Sequence, residues 1–182
     1  MTEADCTVLQ GRPEDAESRI AKERETYDRL DKLGINYSRV DHASADTIEQ
    51  CAQIGKVLGA PICKNLFLCN TQKTTFYLLL MPGDKPFKTK LLSPQLGCSR
   101  LSFAPAEYME QLINCTAGSA SVLGLFYDRE CRVQLLMDKD LLNEKYFGCH
   151  PCVNTSSIGI ETSQLLERIL PACGHSPIFV EL

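Results

Sequence analysis

A lysine and an asparagine, Lys64 and Asn65, open the run Lys64-Asn-Leu-Phe-Leu68. A charged and a carboxamide side chain rarely begin a strand whose next residues are apolar, so an ammonium is expected at the mouth of a core. There it can pair with a phosphate, or polarise a carbonyl while negative charge builds on the oxygen. A solvated strand end followed by a turn residue is the plain alternative. His150, in Cys149-His-Pro-Cys152 just ahead of Asn154, can hydrogen-bond a substrate or water, or equally a backbone carbonyl. The sequence contains no Gly-x-Ser-x-Gly elbow, and nothing ties His42 or His150 to a serine or cysteine as a triad.

Cysteine offers a rival chemistry. Cys149-x-x-Cys152 and Cys173-x-His175 are two close pairs of ligands that suit tetrahedral zinc, although short pairs also arise by chance in a chain with 10 cysteines. A redox role for Cys149-His-Pro-Cys152 lacks the thioredoxin-like order of strand and helix around it. Most of the thiols are scattered through core-like runs and read as reduced and buried. Neither a metal nor any other cofactor is expected.

With 182 residues the chain can bury one good core, and it reads as a single domain over 13–182 preceded by a disordered segment over 1–12. The N-terminus lacks the plan of a signal peptide, and no apolar stretch approaches a membrane span. A soluble, cytoplasmic protein is expected, with no membrane partner. The net charge of −4 argues against strong nonspecific nucleic-acid binding, and so against a DNA partner; any RNA contact needs a local patch. Lys85, Lys88, Lys90 and Arg100 supply one, with no acid between Lys85 and Arg100. A solvated face is the alternative reading of the same charges.

The elements that must position these groups can be read in order. Pro13 starts a helix running to about Leu33, with Gly34 as its stop, and Ile35 to Asp41 forms a strand. A second helix spans Asp46 to Leu58, with Asp46 as N-cap and Glu49 completing a capping box. Strands at Asn65 to Cys69 and Thr75 to Met81 make an antiparallel hairpin, and Pro82 to Pro86 is a loop. Helices follow over Thr89 to Leu96 and from Pro105, then strands at Leu123 to Tyr127 and Cys131 to Met137. A strand near Thr155 to Ile160 and a helix over Ser163 to Leu170 end the chain. Helices and strands are mixed without a clean βαβ rhythm, which gives an α+β class.

From Tyr27 to Leu170 the chain also resembles a known family. The matching pieces are Leu33-Gly-Ile-Asn-Tyr37, Val40-Asp-His42, Asp46-Thr47, Lys64-Asn-Leu-Phe-Leu68 and Leu96-Gly97. Further along come Arg100-Leu-Ser-Phe-Ala104, Gly118-Ser119 with Gly124-Leu125, Leu136-Met-Asp-Lys-Asp-Leu141, and His150-Pro151 with Asn154-Thr155. In order and spacing they resemble the YbaK/ProRS-associated family, and within it the PrdX-like, freestanding aminoacyl-tRNA deacylases that clear alanine from proline tRNA. The resemblance implies a YbaK-type fold, a curved mixed sheet closing toward a barrel with surrounding helices and a pocket at its mouth.

It further implies trans-editing of mischarged tRNA, most of all alanyl-tRNA(Pro), by water attack on the ester with help from the substrate's own ribose hydroxyl. Lys64 would be the catalytic residue. His42, Asn65, Gly118, His150 and Asn154 would bind the aminoacyl-adenosine end, and Lys85, Lys88, Lys90 and Arg100 the tRNA. The partners implied are the tRNA acceptor end and prolyl-tRNA synthetase. Two departures stand out: His42-Ala43 where the family carries His-Pro, and Val122 where it carries a proline after Gly118. A proline fixes the local φ and valine does not. These departures keep open a noncatalytic tRNA- or synthetase-binding module of the same fold.

Overall fold

A computed structural model describes residues 7–45, 47–98 and 100–182. β1 (Leu9–Gln10) pairs antiparallel with β2 (Tyr37–Asp41), so part of the segment expected to be disordered joins a sheet. Residues 1–6 lie outside the described residues. The helix expected from Pro13 is interrupted. A 3-10 turn at Ala16–Ser18 gives way to extended backbone at Arg19 and Ile20 before α1 (Ala21–Lys32) begins. The break lets the Arg19 guanidinium reach Asp15, Glu23 and Asp41 at 2.9, 2.7 and 2.7 Å, tying the turn to α1 and to β2. α1 then buries Glu23, Thr26, Tyr27 and Leu30, which recur at helical spacing on one face.

α2 (Ile48–Leu58) is capped by Thr47, one residue later than expected. Thr47 accepts from the Gln50 amide while the Gln50 side chain accepts from the Thr47 amide, so the capping box is Thr47/Gln50 and Glu49 takes no part in it. Asp46 itself lies outside the described residues. β3 (Lys64–Cys69) and β4 (Phe76–Met81) form the expected hairpin. The Asn70 side chain closes its turn by accepting from the amides of Thr74 and Thr75. α3 (Leu92–Leu96) ends at Gly97, and β5 (Ser102–Phe103) adds to the free side of β3. α4 (Ala106–Ile113) follows.

In place of the strand expected at Leu123 to Tyr127 stands a 3-10 helix, Val122–Phe126, capped by Ser121. Its five residues are all buried, and a short apolar run without alternation does not distinguish strand from helix. β6 (Val133–Asp138), β7 (Tyr146–Cys149), β8 (Ser156–Glu161), the consecutive helical turns α5 (Thr162–Gln164), Leu165–Ile169 and α6 (Leu170–Cys173), and finally β9 (Ile178–Val180) complete the chain.

The strands form two sheets. One is antiparallel, in the order β1-β2-β8-β7; the other is mixed, in the order β5-β3-β4-β6-β9, with β4-β6 and β6-β9 parallel. The class is α+β. The two ladders meet at an isolated bridge between Ile62 and Gly148, and no strand pairing that closes them into a barrel is found among the described residues. Every residue of β4 is buried, and its alternation divides two cores. Phe76, Leu78 and Leu80 face the larger cluster with Tyr27 and Phe147, whereas Tyr77, Leu79 and Met81 face a smaller one with Leu92 and Leu101.

The connection from α2 into β3 is the tightest crossing. The Cys63 amide donates to the Gly148 carbonyl at 2.9 Å and the Gly148 amide to the Pro61 carbonyl at 2.7 Å. On the other side Gly83 packs so closely that a Cβ there would overlap the Ile62 carbonyl oxygen. Backbone against backbone cannot relax by rotating a side chain. Gly83→Ala is therefore expected to destabilise the protein by about 1–3 kcal/mol through overpacking. A thermal melt should show the midpoint falling by several degrees, at roughly 2–4 °C per kcal/mol for a chain of this size; an unchanged midpoint would contradict the packing.

Candidate active site

β3 begins as the chain emerges from that crossing, so Lys64 and Asn65 are held at the end of the mixed sheet. They line a cavity of about 860 Å³. One wall is the small-residue face of α2 (Ile48, Cys51, Ala52, Gly55), which continues through Ala60 and Ile62. The loop Pro82–Asp84 lies opposite, and Gly118, Ala120, Leu141, Glu144 and His150 contribute from other parts of the chain. The volume is in the range of small-ligand sites, which are usually apolar with a few convergent polar groups.

Lys64 is half-buried and its Nζ donates to the Lys85 carbonyl at 2.7 Å. An ammonium has three donors, so this bond fixes its position and leaves two. Asn65 donates through Nδ2 to the Cys63 carbonyl at 3.2 Å, and its buried Oδ1 has no hydrogen-bond partner. A buried acceptor without a donor carries a desolvation penalty of about 1–3 kcal/mol, which a ligand N–H or O–H would relieve.

Gly118 has φ of 81°, a left-handed conformation that suits glycine, and it sits in a loop tied by Ser119 to Thr116. Ser121 donates to the His150 carbonyl at 2.6 Å, which joins this loop to the His150 segment. Val122, where the resembling family carries proline, is fully buried.

His150 is buried, and its Nδ1 lies 3.0 Å from the Ser156 carbonyl, which can only accept; Nδ1 therefore carries the proton and Nε2 a lone pair. His42 follows the same logic, with Nδ1 donating to the Ala43 carbonyl at 2.8 Å and Nε2 accepting from the Ser157 hydroxyl at 2.9 Å. Ser157 Oγ is in turn 3.3 Å from His150 Nδ1, so the two rings, 6.2 Å apart, share one serine. Burial lowers the pKa of both histidines. For His42 it outweighs the Ala43 carbonyl and the charge of Asp41; for His150 it outweighs the Ser156 carbonyl and is reinforced by His42. Both rings are neutral near pH 7.

Of the six residues assigned to ester and substrate, Lys64, Asn65, Gly118 and His150 line the cavity. His42 and Asn154 stand behind His150 rather than in the wall. The His42 amide donates to Thr155, the Ala45 amide to Asn154, and Asn154 Nδ2 to Ser44 Oγ at 2.7 Å, so the two residues clamp the loops together. Sequence reasoning missed Lys56, Asp84 and Glu144, which also line the cavity; each is an exposed charged residue with no motif around it.

Among the cationic residues, Lys88, Lys90 and Arg100 are exposed, but Lys85 is committed elsewhere. Its Nζ lies 2.8 Å from Asp138 and 2.7 Å from Asp140, and these acids raise its pKa against partial burial. That leaves it little free charge to offer a phosphate, and its structural part is to hold the loop that carries the carbonyl bound by Lys64.

The cysteine alternatives can be placed as well. Cys149 and Cys152 are buried in the larger core, where Thr26 lies 3.6 Å from Cys152, and His175 pairs with Asp128 at 3.5 Å. Among the described residues no group of three or more His, Cys, Asp or Glu side chains is arranged to hold a metal ion. Burial, aided by Glu144, pushes the cavity-lining Cys63 thiol up to about 12, so it is not a thiolate nucleophile near neutrality.

Comparison with known proteins gives the class that this fold and cavity define. The family model of the aminoacyl-tRNA editing domain matches residues 42–167. The chain belongs to that family. It is 30% identical over 154 residues to the prolyl-tRNA editing protein ProX of Acetoanaerobium sticklandii, covering 85% of this chain and 93% of that one. It is 31% identical over 157 residues to the prolyl-tRNA synthetase associated domain-containing protein 1 of Mus musculus, covering 84% and 91%. A crystal structure of a candidate trans-editing enzyme for prolyl tRNA synthetase superposes with a TM-score of 0.67 at 16% identity, over 90% of this chain and 99% of the other. That last likeness speaks for the fold.

The neutral histidines give a pH signature. A histidine whose folded pKa is lowered binds its proton later than in the unfolded chain, near 6.5, so stability is full above that pH and falls as pH drops below it. Urea unfolding between pH 8 and pH 5 should show this loss, and His42→Gln should make it shallower. A profile flat across the window in the unaltered protein would contradict the neutral, buried assignment.

Proposed function

We propose that this protein is a cytoplasmic, freestanding hydrolase that deacylates mischarged tRNA, with alanyl-tRNA(Pro) as its substrate. The observation that carries the reading is the pairing of an ammonium with an unpartnered carboxamide oxygen on consecutive residues, Lys64 and Asn65, at one cavity wall. The family membership supplies the reaction class, and the names of its relatives favour proline tRNA.

In this reading the terminal adenosine and its aminoacyl ester enter the cavity, and Lys64 lies against the ester carbonyl. Water attacks the carbonyl carbon and negative charge builds on the carbonyl oxygen, where the ammonium stabilises it; the bond between the carbonyl carbon and the ribose oxygen then breaks, the amino acid leaves as its carboxylate, and the ribose oxygen takes a proton that derives from the attacking water. Asn65 Oδ1 accepts from the amino group of the aminoacyl moiety or from a ribose hydroxyl. His150, neutral and with its Nε2 lone pair free to accept, holds the water or the hydroxyl. Gly118 presents backbone to the substrate, while His42 and Asn154 keep His150 and its loop in place. Lys88, Lys90 and Arg100 contact phosphates.

Such an activity answers a known limit of selection. A synthetase pocket shaped for proline cannot strongly reject a smaller side chain, because one methylene is worth only about 1–3 kcal/mol. Removal after transfer corrects the error.

Purified protein is expected to hydrolyse alanyl-tRNA(Pro) and spare prolyl-tRNA(Pro). Lys64→Ala should lower kcat/KM by about a hundredfold or more, the scale seen when one oxyanion donor is removed, with an unchanged melting midpoint. Asn65→Ala should weaken substrate binding. Full activity in Lys64→Ala removes the proposed catalytic role. Tight binding of aminoacyl-tRNA without turnover in the unaltered protein would replace the enzyme with a noncatalytic binding module, a reading that Val122 in place of proline also accommodates.

A further inference from the structure

An aromatic shelf runs from the cavity to the edge of the mixed sheet. Side chains alternate along β3, so Lys64, Leu66 and Leu68 share one face. Phe103 of β5 is the direct ladder partner of Leu68 and projects on that same face. It is 63% exposed, the most exposed of the large apolar side chains among the described residues. Phe87 packs beside Leu66 against the smaller core, two residues beyond the Lys85 carbonyl that holds Lys64, and its ring meets that of Phe103 edge-on at 6.2 Å. An edge contact covers at most one face of a ring, and at 63% exposure Phe103 keeps at least one face open to solvent. Around the two rings in sequence stand Lys88, Lys90 and Arg100, all exposed.

Exposed aromatic rings interleaved with cations suit single-stranded nucleic acid: bases stack on the rings and the cations track the phosphates. Lys64 and Leu68 are four residues apart, about 13 Å along the strand. At ~3.4 Å per stacked nucleotide, and more when splayed, this distance suits the two or three unpaired nucleotides that precede a terminal adenosine.

The geometry points to Phe103, edged by Phe87, as a stacking platform for the unpaired nucleotides next to the terminal adenosine of an RNA 3′ end whose last residue occupies the cavity. This subsite rests on the proposed editing function for its orientation, but it binds RNA by contacts separate from the ester chemistry. It makes Phe103 a determinant of affinity for the polynucleotide and a bystander to hydrolysis.

The test uses the full chain, a 5′-labelled single-stranded RNA hexamer ending in CCA, and two esters, alanyl-tRNA(Pro) and alanyl-adenosine. One lost base–aromatic stack, worth about 1–3 kcal/mol, corresponds to roughly a 5- to 150-fold rise in Kd. Phe103→Ala should therefore weaken hexamer binding at least fivefold and raise KM for the tRNA ester, with kcat/KM on alanyl-adenosine unchanged. Phe103→Trp should restore binding. If the unaltered protein cleaves neither ester, the editing reading fails while the hexamer comparison still decides the shelf. Equal hexamer affinity for the unaltered protein and a folded Phe103→Ala, or no measurable hexamer binding at all, overturns the shelf. So does a change from dimer to monomer on substitution with RNA affinity intact, which would make this sheet edge a self-association surface.

Discussion

Residues 60–63 pass between two backbones that leave no room for a side chain on either flank, and the candidate site depends on that crossing. Gly148 bonds them through the Pro61 carbonyl and the Cys63 amide, while Gly83 closes over the Ile62 carbonyl. The same four residues connect α2 to β3 and link the two sheets through the Ile62–Gly148 bridge. A segment pinned in this way cannot shift without breaking paired backbone groups, each of which would then be buried and unsatisfied. Lys64 and Asn65 come immediately after it, so their Cα positions are set by main-chain contacts rather than by their own side-chain interactions.

Local chemistry made part of this legible from sequence. The β3–β4 hairpin could be read because Asn70 to Lys73 separates two apolar runs, and α2 because a capping pair and Gly59 bound an amphipathic stretch, although the cap is Thr47 and not Asp46. What failed to show were elements whose state depends on distant partners. β7 has only four residues with a glycine inside, and β9 has three that pair in parallel with β6. Val122–Phe126 is apolar throughout and carries no period to read; Gly124 packs so closely on Ile113 and Cys115 that the helical turn rests on tertiary contact.

The site divides along the same line. Lys64, Asn65, Gly118 and His150 converge on one cavity from segments far apart in sequence, which only ordered motifs could have suggested. The α2 wall gave no such sign. Gly55 looks like an ordinary helix-face residue until the chain at Ala60 and Pro61 is brought against it. Lys85 shows the opposite failure. Its charge is plain in the sequence, but the buried Asp138 that neutralises it is 53 residues away and could not be paired with it by local reasoning.

That pairing gives the polar groups an order of dependence. Asp138, at the end of β6, and Asp140 hold the Lys85 ammonium; Lys85 thereby fixes the loop after β4; and the loop's carbonyl holds the Lys64 ammonium. A flexible four-carbon side chain loses roughly 2 kcal/mol of rotamer freedom when it is ordered. Ordering Lys64 beforehand, by a bond to a carbonyl that is itself restrained, removes that entropic loss from the step in which a ligand arrives. His150 is ordered on the other side by Ser156 and Ser157, and stays neutral because it is buried. Under the proposed function, a restrained cation and a restrained neutral acceptor would meet a carbonyl and a water without reorganising, and such preorganisation is what hydrolysis of an already reactive ester requires of a protein.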